Sequence, residues 1–343
     1  NVKISGKGTV RMNKDDYYKA PYQPSEHRHC IAIRGSSDVL IEDVTCRDAG
    51  GDGVYISTLR RGVTNHRVTL RRVRCDNNHR QGVSVISCEK LLIEDCDFVN
   101  TSGGAPEAGI DFEPNYPEDL LVRCVVRNTR FTGNRGAGVD VSFHNLDETT
   151  EPVDILFENC RIENNVQASV VIARNKFNKS PKGLVRFDGC TFCAQSGVSA
   201  LGGVELNVVS NQVSQFECCT FSRLAGASGV IVFRDYGGEL RLVNCTFAQN
   251  DGVSADVLIG GAAGAGGIFR AFNCIFADVA CENVFKISDT YSTSIFCPLT
   301  DPLTYDSTQK GDQKLMVNTA SVNPRDVLDS DSRISRLIRG VLQ

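Results

Sequence analysis

The sequence predicts an all-β solenoid, a stack of similar coils built from short strands. Seven segments read Gly-apolar-X-apolar: Gly53-Val54-Tyr55-Ile56, Gly82-Val83-Ser84-Val85, Gly109-Ile110-Asp111-Phe112, Gly138-Val139-Asp140-Val141, Gly203-Val204-Glu205-Leu206, Gly229-Val230-Ile231-Val232 and the degenerate Ser169-Val170-Val171-Ile172. A second register runs through Cys96, Cys160, Cys190, Cys219, Cys245 and Cys274, each with an apolar residue two places on (Phe98, Ile162, Phe192, Phe221, Phe247, Phe276). Recurrence every roughly 23 to 33 residues marks one supersecondary unit repeated many times. Within each unit, β-branched runs with alternating burial are punctuated by Gly, Asn and Asp, and helical periodicity is weak.

The elements follow in order. Asn1-Val2-Lys3-Ile4 reads as an entry strand, so a leader or cap before it is expected to have been cut away; the chain itself shows no signal peptide or membrane span. A polar excursion runs from Asp15-Asp16-Tyr17-Tyr18 to His29. The first full coil is Val39 to Cys46, a turn at Asp48 to Asp52, then Gly53 to Ser57; the next repeats it as Val68 to Cys75, a turn at Asp76 to Gln81, then Gly82 to Val85. Turn asparagines at Asn77, Asn78, Asn100, Asn134, Asn164, Asn165 and Asn250 are expected to hydrogen-bond from coil to coil. The repeat fades near residue 285. A solenoid over 1–284 and an irregular C-terminal cap over 285–343 are therefore expected, with Asp301 to Asp331 polar and Ile334 to Leu342 amphipathic. The glycine run Gly260 to Gly267 lacks a following helix pattern or Lys and reads as a turn.

With 41% hydrophobic residues among 343, the chain has ample core for one elongated domain. A net charge of −4 argues against nucleic acid as a partner. The locally basic stretch of Arg60, Arg61, Arg67, Arg71, Arg72, Arg74 and Arg80 reads as a solvated coil face, with an anionic-ligand rim as the sharper alternative. Fifteen cysteines follow the coil spacing, and no Cys-X-X-Cys pair among them comes with partner histidines. They are expected to stack in one inward column as small buried hydrophobes.

These features resemble the right-handed parallel β-helix of the pectin-lyase-like superfamily. The residues that carry the resemblance are Asn1-Val2-Lys3-Ile4-Ser5-Gly6-Lys7-Gly8-Thr9, Gly50-Gly51-Asp52-Gly53-Val54-Tyr55-Ile56 and the Asn-Cys-X-Phe coils. The resemblance implies a right-handed single-stranded β-helix of about nine to eleven coils. It is specific for fold and poor for function, because the superfamily includes polysaccharide lyases, glycoside hydrolases, epimerases and phage tailspikes.

Strand alternation sends X of each Gly-apolar-X-apolar segment outward. Down the stack X is Tyr55, Ser84, Asp111, Asp140, Val171, Glu205 and Ile231; the next outward position is Ser57, Ile86, Glu113, Ser142, Ala173, Asn207 and Phe233. With coils about 4.8 Å apart, Asp111, Glu113 and Asp140 form an acidic triangle in which at least one pKa is raised. Tyr55, Ser84, His144, Arg174, Glu205 and Tyr116 are the expected substrate-binding residues around it. The loops Pro114-Asn115-Tyr116-Pro117-Glu118-Asp119 and Phe143 to Pro152 are candidate groove walls. Asp52 and Asp76, in turns before their strands, either join the site or shape the turn.

Glycoside hydrolysis needs one carboxyl held protonated and a second ionised. Asp140 and Glu113, a diagonal pair about 7–8 Å apart, are the acid and base candidates, with Asp111 tuning them. Hydrolases of the fold that the chain resembles usually invert, which implies an inverting enzyme here. A polysaccharide lyase or uronate C5-epimerase is the first alternative. Gly109-Ile110-Asp111-Phe112-Glu113-Pro114 is similar to the Asp-Pro-His-Glu signature of alginate C5-epimerases, although the residue order differs and the histidine is missing. A non-catalytic glycan-binding or spike-like rod is the second alternative. The chain has no Trp, so Tyr55, Tyr116 and Phe143 are left as sugar-stacking platforms. No cofactor is expected, with Ca²⁺ on the carboxylates as the metal alternative. The expected partner is a polysaccharide or oligosaccharide, with no nucleic acid and no membrane, for a secreted, periplasmic or cell-surface monomer or homotrimer.

Overall fold

The structure is a computed structural model that describes residues 1–173 and 181–193 continuously. It then describes 203–207, 212–224, 229–234, 238–250, 257–260 and 268–276, with short strands at Phe285–Ile287, Ser294–Phe296 and Leu315–Met316. Three parallel sheets of 12, 10 and 10 strands wrap one core. Each strand pairs in register with its counterpart one coil on, as Val39 does with Val68 and Val54 with Val83. The sheets extend past residue 284 through the last three strands; the rest of the expected C-terminal cap lies outside the described residues.

Each turn has a local cause. Between the first and second sheets, one residue per coil adopts a left-handed backbone: Asp43, Arg72, Asp95, Asn128, Asn159, Gly189, Cys218, Asn244 and Asn273. Asn, Asp and Gly tolerate that conformation best, which explains the Asn of the Asn-Cys-X-Phe pattern. Between the second and third sheets a buried asparagine ladder satisfies the turn. Asn134 donates to the Phe98 carbonyl (3.2 Å), and its Oδ1 accepts from the Thr101 N–H (3.1 Å). Asn165 repeats this one coil on, with Phe131 and the Asn134 N–H.

The core is stacked aromatics. Phe157, Phe187 and Phe216 of the first sheet lie ring on ring at 4.7 and 4.9 Å, and Phe192, Phe221 and Phe247 of the second at 4.8 and 4.6 Å. The two columns meet edge to face, as at Phe187–Phe192 (5.6 Å, 68°), an arrangement that suits the ring quadrupoles.

Four expectations are corrected. The cysteines form separate columns, because Cys46 and Cys75 stand in register with Phe98, whereas Cys96, Cys160 and Cys190 sit two places earlier at the corner. Ile231 pairs with Val204 and turns inward, so Val232 is the outward partner of Glu205; the real coil begins one residue later than Gly229 suggests. Ile86 is 2% exposed rather than outward on a free face. Phe143 is buried in the core and gives no ring to a ligand.

The basic stretch is mostly a solvated face of rung-to-rung ion pairs. Arg67 binds Asp38, Arg71 binds Glu94 and Arg72 binds Asp43 from rung to rung, and Arg74 binds Asp76 on its own strand and Asp97 on the next. Asp76 thereby belongs to that outer face, where it also accepts from Asn100 (2.8 Å). Arg80 is different.

Candidate functional site

The third sheet carries the acids. Its strands Gln81–Val85, Ala108–Phe112 and Val139–Ser142 place Ser84, Asp111 and Asp140 on successive rungs of one outward column. Asp111 is 1% exposed, and its pKa is pushed well up by burial, then by Asp140 and Glu113, against the pull of Arg80. Asp140 keeps an edge open to solvent. Burial, with Glu113 and Glu205 nearby, pushes its pKa up to about 7. One oxygen of each aspartate, Oδ1, has no hydrogen-bond partner in the protein. Glu113, two residues beyond Asp111, adds its charge to the pair and accepts from the Arg80 guanidinium at 3.0 Å. Asp140 is thus protonated below about pH 7, and Glu113 lies beside it against the Arg80 guanidinium.

Two residues hold this arrangement. Gln81 donates from Nε2 to Asp111 Oδ2 at 2.8 Å, and its Oε1 accepts from the Ala108 N–H at 3.0 Å, which fixes which way the amide points. Arg80 reaches Glu113 with one nitrogen and Glu26 with another (3.1 Å). Glu26 belongs to the polar excursion, which folds back over the upper rungs as a strap. His29 lies flat on Tyr55 (4.2 Å, 9°), with its Nδ1 3.2 Å from Asp52. Ser84 donates to Asp52 at 3.0 Å, and both are fully buried. His29 Nε2 and Asp52 Oδ1 remain unpartnered beneath the strap.

The model of the family described as "right handed beta helix region" matches residues 9–149 and 62–262. The chain belongs to that family. Its coils are therefore right-handed. Among known proteins, this β-helix is 30% identical over 157 residues to the uncharacterized protein YclG of Bacillus subtilis (strain 168), covering 40% of this chain and 26% of that protein. It is 34% identical over 94 residues to the SPbeta prophage-derived uncharacterized protein YorA of the same organism, covering 24% of this chain and 16% of that one. The matches thus span about a quarter or less of the length of these relatives. Tailspike protein 2 of Escherichia coli O157:H7 bacteriophage CAB120 aligns with a TM-score of 0.37 at 9% identity, over 78% of this chain and 39% of that one. The Streptococcus pneumoniae surface adhesin PfbA aligns with 0.34 at 12%, over 77% and 72%.

The β-helix assembles part of the expected site. Asp111, Glu113 and Asp140 come together, and Glu205 acts on Asp140 from two rungs down. His144 is exposed just past Asp140, with Nδ1 2.6 Å from the Ser142 hydroxyl. Tyr116 is 41% exposed at the outer wall, where the Arg61 guanidinium covers its ring at 4.6 Å and also pairs with Glu118. Ser84 and Tyr55 are corrections: Ser84 is fully buried on Asp52, and the half-buried Tyr55 ring is covered by His29 and Arg34, so neither offers a free face to a groove. Arg174 lies outside the described residues. Among the described residues no group of three or more His, Cys, Asp or Glu is arranged to hold a metal ion. Nor is any helix there long and apolar enough to cross a membrane.

Sequence reasoning passed over His29 and Gln81, placed Arg80 in the basic stretch and not beside the acids, and left Asp52 between site and turn. A signal existed. The residue before each strand's glycine is Ala108, Ala137 or Ala168 in the later coils, but Asp52 and Gln81 in the first two, so two polar groups stand in a buried alanine column.

Proposed function

We propose that this β-helix is a glycoside hydrolase acting on a polysaccharide or oligosaccharide, with Asp140 as general acid and Glu113 as general base. The observation that carries the reading is the rung of Asp140, where burial, with the charges of Glu113 and Glu205, holds it protonated below about pH 7 beside an Arg80-paired Glu113. Asp140, at the accessible edge, gives its proton to the glycosidic oxygen. Glu113 takes one from the attacking water. Asp111 is sealed beneath both and touches no substrate; it tunes them as the buried carboxyl beside each. The diagonal between acid and base, about 7–8 Å, leaves room for a water and supports inversion. His144, Glu205 and Tyr116 line the approach. A secreted or cell-surface location accords with a glycan substrate.

Lyase or epimerase chemistry needs a free cation beside a uronate carboxylate. Arg80 is already bound to Glu26 and Glu113, which favours hydrolysis. The test is mass spectrometry of products from a panel of neutral and acidic glycans, with and without chelator. Fragments carrying one added water, absent with Asp140→Asn, are expected. Fragments without added water would make the protein a lyase, and an unchanged panel would make it a binding or structural rod.

A further inference from the structure

The strap does more than cover Tyr55. Between it and the turn at Gly103 and Gly104 lies a cleft of about 510 Å³, lined by Tyr18, Glu26, His27, His79, Arg80 and Gly104 among others. That volume is within the range of small-ligand sites and holds one or two sugar rings. The cleft is built into the fold. A Cβ on Gly51 would overlap the Glu26 carbonyl, and one on Gly50 the Tyr17 ring, so these glycines let the strap lie directly on the coil. A Cβ on Gly103 or Gly104 would run into the His79 ring, so the opposite wall is pressed into place the same way. The Tyr18 hydroxyl ties the strap to the Gly50 carbonyl at 2.8 Å, and Lys14 ties it to Asn77 and Ser102 at 2.9 and 3.1 Å.

We propose that this cleft binds the terminal residue of a neutral glycan chain, so that the protein acts from chain ends. The chain-end part rests on the hydrolase reading above; the binding part does not. Stacked Tyr18 and His79 (3.9 Å, 17°) supply ring surface, and Glu26 and Arg80 supply acceptor and donor for sugar hydroxyls. Because Arg80, the Lys or Arg side chain that lines the cleft, is matched by Glu26 and Glu113, the lining favours a neutral sugar over a uronate. Arg80 also spans from the cleft wall to Glu113, placing the bound sugar one side chain away from the acid cluster. A glycan running along the outward column from Glu205 to Asp140 meets the strap at the rungs of Ser84, which is buried, and Tyr55, whose ring His29 covers. The chain therefore ends there.

The test uses saturation-transfer NMR with the methyl glycosides of glucose, galactose, mannose and N-acetylglucosamine. It compares the wild type with Glu26→Ala and with Ala105→Trp, which fills the cleft from an exposed position. At least one glycoside is expected to bind, about tenfold more weakly to Glu26→Ala and not at all to Ala105→Trp. Binding by none of the four, or binding that Ala105→Trp leaves intact, overturns the proposal. With reducing-end-labelled oligosaccharides, stepwise loss of terminal residues is expected, and internal cuts in the earliest samples overturn the chain-end mode. An absence of any turnover counts against the hydrolase, while the NMR arm still decides the cleft.

Discussion

Asp111 and Asp140 are register partners on neighbouring parallel strands, so two carboxyls share one step of the stack. A step of about 4.8 Å makes this an expensive pairing unless at least one carboxyl carries a proton. Gln81 can donate to only one oxygen of Asp111, and Arg80 is drawn to Glu113 and Glu26 instead. Burial, with the charges of Glu113 and Glu205 beside it, then pushes the Asp140 pKa up to about 7 and sustains a protonated acid near neutral pH.

Replacing Asp140 with Asn is expected to lower glycan cleavage by about 100- to 10,000-fold, the usual contribution of a general acid, with the β circular-dichroism spectrum unchanged. Glu113→Gln is expected to match it within that range. Full cleavage by either variant would remove that residue from the chemistry.

The raised pKa of Asp140 also fixes two pH dependences. The acid must be protonated, so kcat/KM falls as pH rises through about 7. Stability has the same sign. A carboxyl whose folded pKa is above its unfolded value costs nothing below about pH 4, and an increasing amount as pH rises from there through about 7. Asp140→Asn removes this cost. The variant is expected to gain on the order of 1 to 3 kcal/mol relative to wild type between pH 4 and pH 8, measured by urea unfolding at both. An equal difference at both pH values would show that Asp140 ionises normally.

The strap supports a prediction that needs no substrate. His29 stacks on Tyr55 and meets Asp52, which in turn holds Ser84. His29→Ala leaves Asp52 buried with one partner fewer, a change that costs about 1 to 3 kcal/mol. Limited proteolysis is expected to cut the variant between residues 13 and 30 well before any β-helix coil, and the wild type much more slowly.

The fold was legible because its information is local and repeated. From Asp95 on, most αL corners carry Asn, Asp or Gly, most next positions Cys, and most strand centres Phe, so coil after coil restates the rule. The acidic rung was legible for the same reason: Asp111 and Asp140 hold one position in two copies of a motif. What lay off the repeat was not. His29 and Glu26 come from a segment with no counterpart in other coils, and only the folded strap brings them to Asp52 and Arg80. Phe143 misled because a residue in a loop after a strand reads as exposed, yet this loop dips its first ring into the core. Ile231 misled because Gly229 mimics the motif one place early.

The thiols give a chemical check on the register. Cys160, Cys190, Cys219 and Cys245 are buried, and each sulfur points at a carbonyl of the preceding coil, at 3.4, 3.5, 3.4 and 3.3 Å. Cys218, alongside them in sequence, is exposed at the αL corner. Brief alkylation of native protein followed by peptide mapping is expected to label Cys218 ahead of all four, although Cys219 is its neighbour. Equal labelling of 218 and 219 would mean that the corner is misplaced by one residue.

Phe187 tests how far damage spreads in such a stack. Its ring lies between Phe157 and Phe216 and meets Phe192 edge-on, so Phe187→Ala removes one complete layer of the core. The expected loss is about 3 to 5 kcal/mol, at the upper end because flanking rings held by their own strands cannot collapse into the gap. In a stack each coil contacts only its neighbours, so the loss belongs to the adjoining coils. Hydrogen exchange is expected to quicken in the strands Val153–Glu158, Gly183–Asp188 and Gln212–Glu217, while Ser37–Glu42 and Asn65–Arg71 retain their protection. The rung of Asp111 and Asp140 lies between these regions, so cleavage is expected to fall far less than stability does. Uniform loss of protection from the first strand onward would instead make the whole β-helix a single cooperative unit.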